Sequence, residues 1–109
     1  MGYEVIAIPN FVRELKKLAK KYPSLKADFA TLIESLEKEP YQGNALGNNC
    51  YKIRMAISSK AKGKSDGARV ITYLQISQTT VYLLSIYDKS DQDSISDKEI
   101  KELLKDIPE

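Results

Sequence analysis

Basic side chains are concentrated in one part of this sequence, the segment from Tyr51 to Thr72. That segment contains two arginines and four lysines against one acidic residue, whereas the whole chain has a net charge of only +2. Such a concentration either is a solvated surface or faces an anionic partner. Charge runs are usually solvated, so the position of these residues in the fold has to decide between the two interpretations.

The residue types that are missing limit the chemistry. The chain has no histidine, which excludes Ser-His-Asp and Cys-His catalysis as well as Cys/His zinc sites. Its five glycines occur singly, so the sequence holds no phosphate-binding loop of the Walker or dinucleotide type. We therefore expect no metal site and no small-molecule cofactor. Any catalysis must use carboxylates, lysine, arginine or tyrosine.

The elements that must position the cations follow from hydrophobic spacing, in the order β-α-α-β-β-β-α. Asn10 is expected to cap the first helix and Ser24 the second, and prolines end both helices. The Gly- and Asn-rich segment 41–50 is expected to be a loop. The predicted elements are a strand at 3–8, a helix at 11–22, a second helix between Ser24 and Pro40, strands at 50–58, 68–76 and 80–88, and a helix at 97–106.

This order predicts an α+β fold that forms one domain over residues 1–109. An antiparallel sheet of about four strands should pack on the N-terminal helical hairpin through one face and leave the other face open. No apolar run is long enough to cross a membrane, and no signal peptide is visible, so a cytoplasmic protein is expected. Its single cysteine, Cys50, is expected to be a small buried strand residue.

The last predicted helix has a clear start signal. Ser96 and Glu99 have the spacing of a capping box, and Ile95 and Ile100 that of a hydrophobic staple. A narrow apolar stripe on this helix should pack on the sheet, although it could instead dock a partner chain.

Four cations are expected to converge on the open face. Period-two alternation places Lys52 and Arg54 opposite the apolar side of their strand. Arg69 begins the next strand and should lie near Arg54, on the solvent-facing side of the sheet, and Lys89 leaves the last strand at the same edge. Four cations without acidic neighbours repel one another, and a polyanion would neutralise them.

Three motifs in this order resemble the RelE/ParE superfamily of bacterial type II toxins, and most closely its RelE-like or HigB-type branch. They are "YKIR" at 51–54, "GARVITY" at 67–73 and "VYLLSIYDKSD" at 81–91. The resemblance covers almost the whole chain and implies the RelE-like fold. It also implies a toxin that cuts mRNA on the ribosome as an endoribonuclease, inhibits translation and is held inactive by a cognate antitoxin.

The resemblance also implies residue roles. Lys52, Arg54, Arg69 and Lys89 correspond to the family's catalytic cations, which promote attack of the RNA 2′-hydroxyl on the adjacent phosphate without a metal. A lysine whose ammonium form is destabilised by neighbouring arginines would be the base, and the arginines would stabilise the phosphorane. Ile95 stands where RelE has a tyrosine, which leaves the acid and base unassigned.

Further residues are expected to contact RNA. The lysines of the loop "SSKAKGKSDG", Lys60, Lys62 and Lys64, would grip ribosomal RNA, unless the loop is only a solvated surface. Tyr87 would stack on a base, although a structural aromatic at a strand end is an equal alternative. Two other functions stay open. One is a ParE-like poison of gyrase, against which the cation cluster argues, and the other is a noncatalytic RNA-binding module.

Overall fold

The computed structural model of the chain describes residues 2–60 and 66–108. No helix in these two ranges is long and apolar enough to cross a membrane. The helices are α1 (Pro9–Lys21), α2 (Leu25–Lys38) and α3 (Asp97–Leu104). The strands are β1 (Glu4–Ala7), β2 (Asn44–Gly47), β3 (Cys50–Met55), β4 (Ala68–Gln75) and β5 (Thr80–Asp88).

The strands form one five-stranded sheet in the order β1-β5-β4-β3-β2. The α+β class and all seven predicted elements are confirmed, but the sheet differs from the expected antiparallel sheet of about four strands. It is mixed, because β1 runs parallel to β5. It also contains β2, which lies inside the segment that we expected to be a loop. Asn48 and Asn49, both with positive φ, join β2 to β3 as a two-residue hairpin turn.

The helical hairpin of α1 and α2 covers one face of the sheet, where Phe11, Leu25 and Leu36 are fully buried. The second face is not open along its whole length, because α3 packs on it. Ile100 is buried, and the stripe residues Leu103 and Leu104 pack against the core. Of the two alternatives for α3, the structure therefore shows internal packing on the sheet.

Cys50 lies under this covered part of the second face and is 1% exposed, as expected for a structural residue. Burial raises the pKa of its thiol to about 11, so the sulfur stays protonated at neutral pH.

One of the three predicted caps is wrong, and a second has the predicted position without a capping bond. Helix α1 starts at Pro9, with Ile8 at the N-cap position, because proline fits the first turn without needing an N–H partner. Ser24 is at the N-cap of α2 but makes no capping bond; its hydroxyl donates to Asp28 instead. The capping box of α3 is confirmed, since Ser96 Oγ accepts from the Glu99 N–H at 3.1 Å.

The Asn10 side chain, expected to be a cap, ties α1 to the edge of β5 instead. Its amide donates to Leu84 O at 3.0 Å and to Glu14 Oε1 at 2.9 Å. Glu14 Oε1 also accepts from Ser85 Oγ at 2.8 Å and from the Ile86 N–H at 3.3 Å. These bonds satisfy backbone groups on the edge of β5 that lie beyond the end of β1.

A buried polar network fixes the carboxyl end of β5. Lys60 Nζ lies 2.7 Å from Asp88 Oδ1, and the two side chains are 12% and 0% exposed. Tyr22, at the end of α1, donates to Asp88 Oδ2 at 2.5 Å, and the Ser90 N–H donates to Oδ1 at 3.0 Å. Burial alone would raise the pKa of Asp88, but these donors hold it well below its usual range. Asp88 is therefore a charged anchor that joins three segments.

The anchor predicts that Lys60→Gln destabilises the protein. The substitution leaves the buried Asp88 carboxylate without its counter-charge, and losing one partner of a buried pair should cost about 3 kcal/mol of unfolding free energy. The matched control is Lys105→Gln, which removes a pair with Glu102 in which both side chains are more than half exposed. This control should change the unfolding free energy by less than about 0.5 kcal/mol. Urea denaturation measures both variants, and equal midpoints would show that Asp88 does not depend on Lys60.

Candidate active site

Three of the singled-out side chains lie in one row across the second face of the sheet. Arg54 on β3 is directly opposite Arg69 on β4, and Arg69 is directly opposite Tyr87 on β5. Side chains opposite one another in an antiparallel pair have Cβ atoms about 5 Å apart. We call this set the Arg54–Arg69–Tyr87 row. Lys52 is two residues before Arg54 on the same face, so the predicted proximity of the three strand cations is confirmed.

Exposure falls steeply along the row. Arg54 is exposed and Lys52 half-buried, whereas Arg69 and Tyr87 are only 4% and 6% exposed. The expectation that Arg69 faces solvent is therefore wrong. The sequence pattern predicted the correct face, but α3 packs against the core on that face, and Asp93 in the preceding segment lies within electrostatic range of Arg69. Arg69 Nη1 donates to Ala68 O at 3.3 Å, which helps to fix the guanidinium.

The exposed end of the row opens into a groove of about 410 Å³ that Lys52 and Arg54 line together with 42–44. Gly43 has a φ of +93°, and a Cβ at this position would lie 2.3 Å from Lys52 O. Only glycine allows the chain to pass this close to β3. The tight passage fixes one wall of the groove beside the Lys52 backbone. The groove opens to solvent, so a ligand could reach both cations.

Lys89 lies at the end of β5, where its N–H donates to Gly67 O at 3.0 Å. Its ammonium forms an ion pair with Asp93. Lys89 lowers the pKa of the Asp93 carboxyl through this bond, and the nearby charges of Lys52 and Arg69 lower it further. The expected absence of acidic neighbours is thus wrong, because Asp93 lies within the field of three of the four cations. Its i, i+4 spacing from Lys89 is the only sequence signal for this contact.

The Tyr87 hydroxyl is buried and has no hydrogen-bond partner within residues 2–60 and 66–108. Burial raises the pKa of this phenol; the charge of Arg69 opposes the shift, and Asp93 and Glu99 add to it. Tyr87 is therefore protonated at neutral pH. Its hydroxyl is a donor beside Arg69 with nothing in the described chain to accept its proton.

The remaining predicted residues are not brought into this row. Lys60 belongs to the Asp88 anchor, so its ammonium is already paired in a way that the sequence did not indicate. Lys62 and Lys64 lie outside the described residues. Ile95 packs against the core beside Ile100, as the staple predicts, and supplies no polar group. Within the described residues, no group of three or more acidic or cysteine side chains is arranged to hold a metal ion.

Solved structures with the same fold are RelE toxins. The free form of an E. coli RelE double mutant, in which two arginines are replaced by alanine, superposes with a TM-score of 0.66 at 17% identity, covering 99% of this chain and 100% of that one. The toxin–antitoxin complex RelBE2 of Mycobacterium tuberculosis gives 0.60 at 19% identity, covering 81% and 99%. The intact E. coli RelBE complex gives 0.62 at 17% identity, covering 79% and 95%. At these identities the likeness shows the fold.

No curated protein matches the chain in sequence. A family model does: the model described as the RelE toxin of the RelE/RelB toxin–antitoxin system matches residues 11–107. This match confirms the resemblance seen in the three strand motifs and favours RelE over the ParE-like alternative. The HigB-type assignment within the branch stays a prediction. With nearly its whole length matched, the chain belongs to the RelE family of toxins from toxin–antitoxin systems.

Proposed function

We propose that this RelE-family toxin cleaves mRNA on the ribosome through attack of an RNA 2′-hydroxyl on the adjacent phosphate, without a metal ion. The observation that supports this most directly is the convergence of Lys52, Arg54 and Arg69 on one sheet face, with Lys89 at its edge. A phosphate in the groove beside Lys52 and Arg54 would meet two cations of β3, with Arg69 of β4 directly opposite Arg54. Cations placed where charge develops on the phosphorane lower the barrier to cleavage.

In this proposal each of the four basic residues has a role that follows from its position. Lys52 lies at the accessible end and, in its neutral amine form, takes the proton from the attacking 2′-hydroxyl. Arg54 and Arg69, opposite one another in the ladder, hold the nonbridging oxygens of the phosphate. Lys89 neutralises the phosphate from the end of β5. The products are a 2′,3′-cyclic phosphate and a free 5′-hydroxyl.

The ribosome is proposed as the partner that positions the substrate. Within the described residues, the groove beside Lys52 and Arg54 is lined by no aromatic side chain on which a base could stack. Alignment of the 2′-oxygen, the phosphorus and the leaving oxygen contributes a large part of such rate enhancements. A cognate antitoxin is proposed as the second protein partner, since the family is that of RelE/RelB systems and two of the similar structures are toxin–antitoxin complexes. Ribosome and mRNA as targets place the toxin in the cytoplasm.

The function is tested by inducing the toxin in a bacterium and mapping mRNA ends. The wild type should give cuts phased with codons. Arg54→Gln should reduce them by at least about 100-fold, because it removes one charged contact to the phosphorane. Arg54 is exposed, so its replacement should leave the thermal midpoint unchanged. Lys26→Gln removes an exposed lysine of α2, on the opposite side of the sheet, and is the matched control that should cut like the wild type.

Two other results would contradict the proposal. DNA breaks that depend on gyrase, with intact mRNA, would support ParE-like action instead. Ribosome binding without any new mRNA ends would support a noncatalytic RNA-binding module. The thermal midpoint of the Arg54 variant is measured on the same preparation, so a loss of activity can be distinguished from misfolding.

A second prediction concerns Asp93, the acidic neighbour of the site. Asp93→Asn removes a negative charge that acts on Lys89, Lys52 and Arg69. The variant should bind a 2′-O-methyl RNA, which cannot be cleaved, more tightly than the wild type. The slope of log affinity against log salt should steepen by up to one unit, because one more cation is available to a phosphate. Asp91→Asn removes an exposed acidic residue two positions earlier and is the control. An equal effect of the two changes would mean that only net charge matters.

A further inference from the structure

The Tyr87 hydroxyl is the observation that the proposed function does not explain. Buried polar groups in folded proteins nearly always have a hydrogen-bond partner, and leaving one without a partner costs about 1–3 kcal/mol. In the described part of the chain only two side-chain atoms are in this state, the hydroxyls of Thr72 and Tyr87. Thr72 lies on β4, three residues after Arg69, but on the opposite, helix-covered face of the sheet. Tyr87 lies in the row itself, directly opposite Arg69.

We propose that Tyr87 is the proton donor of the cleavage reaction, and that its hydroxyl is kept free for the leaving 5′-oxygen. This inference rests on the proposed function and adds a catalytic residue to it. The same phenol would satisfy its missing hydrogen bond only when a phosphate ester occupies the site. A donor without a competing partner is preorganised for that bond, since no internal bond has to be broken first.

The protons and bonds balance in this step. The 2′-oxygen forms a bond to phosphorus while its proton passes to the neutral amine of Lys52, which becomes an ammonium, and the bond from phosphorus to the 5′-oxygen breaks. Tyr87 gives its proton to that departing oxygen, and the positive charge of Arg69 stabilises the phenolate that results. Proton exchange with water then returns Lys52 and Tyr87 to their starting forms. The phenol is suited to this direction of transfer because burial keeps it protonated before the reaction.

Asp93 lies within electrostatic range of both Tyr87 and Arg69. The Asp93 side chain is 91% exposed and is bonded to Lys89, so it is an anion already placed beside the cations of the site. Exposed ion pairs of this kind are worth at most about 1 kcal/mol. An RNA phosphate can therefore replace the Asp93 carboxylate next to Lys89 and Arg69. From there its ester oxygen reaches towards the Tyr87 hydroxyl.

Two simpler roles for Tyr87 make different predictions. If the ring stacks on a base, the hydroxyl is dispensable and phenylalanine is an equal replacement. If the residue is purely structural, removing the unpartnered hydroxyl should leave the cleavage rate unchanged. A proton donor, unlike a residue in either of these two roles, loses function when that one oxygen is removed.

The test is single-turnover cleavage of mRNA on programmed ribosomes by Tyr87→Phe. We expect a loss of about 100-fold or more, as for removal of a general acid, with an unchanged or higher thermal midpoint. Thr72→Val removes the other unpartnered hydroxyl and is the matched control, which should cut at the wild-type rate. The second substrate carries sulfur in place of the leaving 5′-oxygen. A thiolate leaves without protonation, so most of the Tyr87→Phe defect should disappear on this substrate.

Each outcome decides one point. Wild-type cleavage together with full activity of Tyr87→Phe overturns the inference and leaves the proposed function intact. A defect of equal size on the oxygen and sulfur substrates also overturns it, because the hydroxyl would then act in another step. If the wild type itself cuts neither substrate on the ribosome, the proposed function has failed, and that result differs from both of the others.

Discussion

The pairing register of β3, β4 and β5 is the constraint on which the rest of the site depends. It places Arg54, Arg69 and Tyr87 side by side although they are far apart in the chain. A slip of one residue between two strands would move a whole set of side chains to the face covered by α1 and α2. The apolar alternation of β3 prevents such a slip, because Ile53 and Met55 must stay in the core. The same residues that build the core therefore align the cations.

Like charges on one face of the sheet repel one another. Two ion pairs near the end of β5 limit the free-energy cost of this repulsion. Acidic groups lie at the β5 end, where Asp93 pairs with Lys89 and Asp88 pairs with Lys60. The Asp88 pair is buried and connects α1, the turn at 58–60 and β5, so it sets the position of the residues on either side of it. The Asp93 side of the second pair is exposed, and we propose that a phosphate can replace its carboxylate. One pair thus maintains the scaffold while the other leaves the site open to substrate.

The sequence was sufficient for the parts of the fold that depend on local patterns. Period-two and helical spacing gave the helices and four of the strands, and the signature of Ser96 and Glu99 gave the start of α3. It was not sufficient for contacts between distant segments. The parallel pairing of β1 with β5, the burial of Arg69 and the pairing of Lys60 with Asp88 all depend on where separate elements meet. Strand β2 is a different case, since two adjacent asparagines are a recognisable hairpin signal.

We propose above all that Lys52, Arg54, Arg69 and Lys89 promote attack by an RNA 2′-hydroxyl on the ribosome. The most direct measurement places a single 2′-deoxynucleotide in the mRNA, immediately before the phosphate that the toxin cuts, in a purified programmed ribosome. The account predicts that cleavage at this phosphate stops while the unmodified mRNA is cut to a 2′,3′-cyclic phosphate and a 5′-hydroxyl. Continued cutting of the deoxy-substituted mRNA at the same phosphate would contradict the account, because water or another nucleophile would then attack the phosphorus.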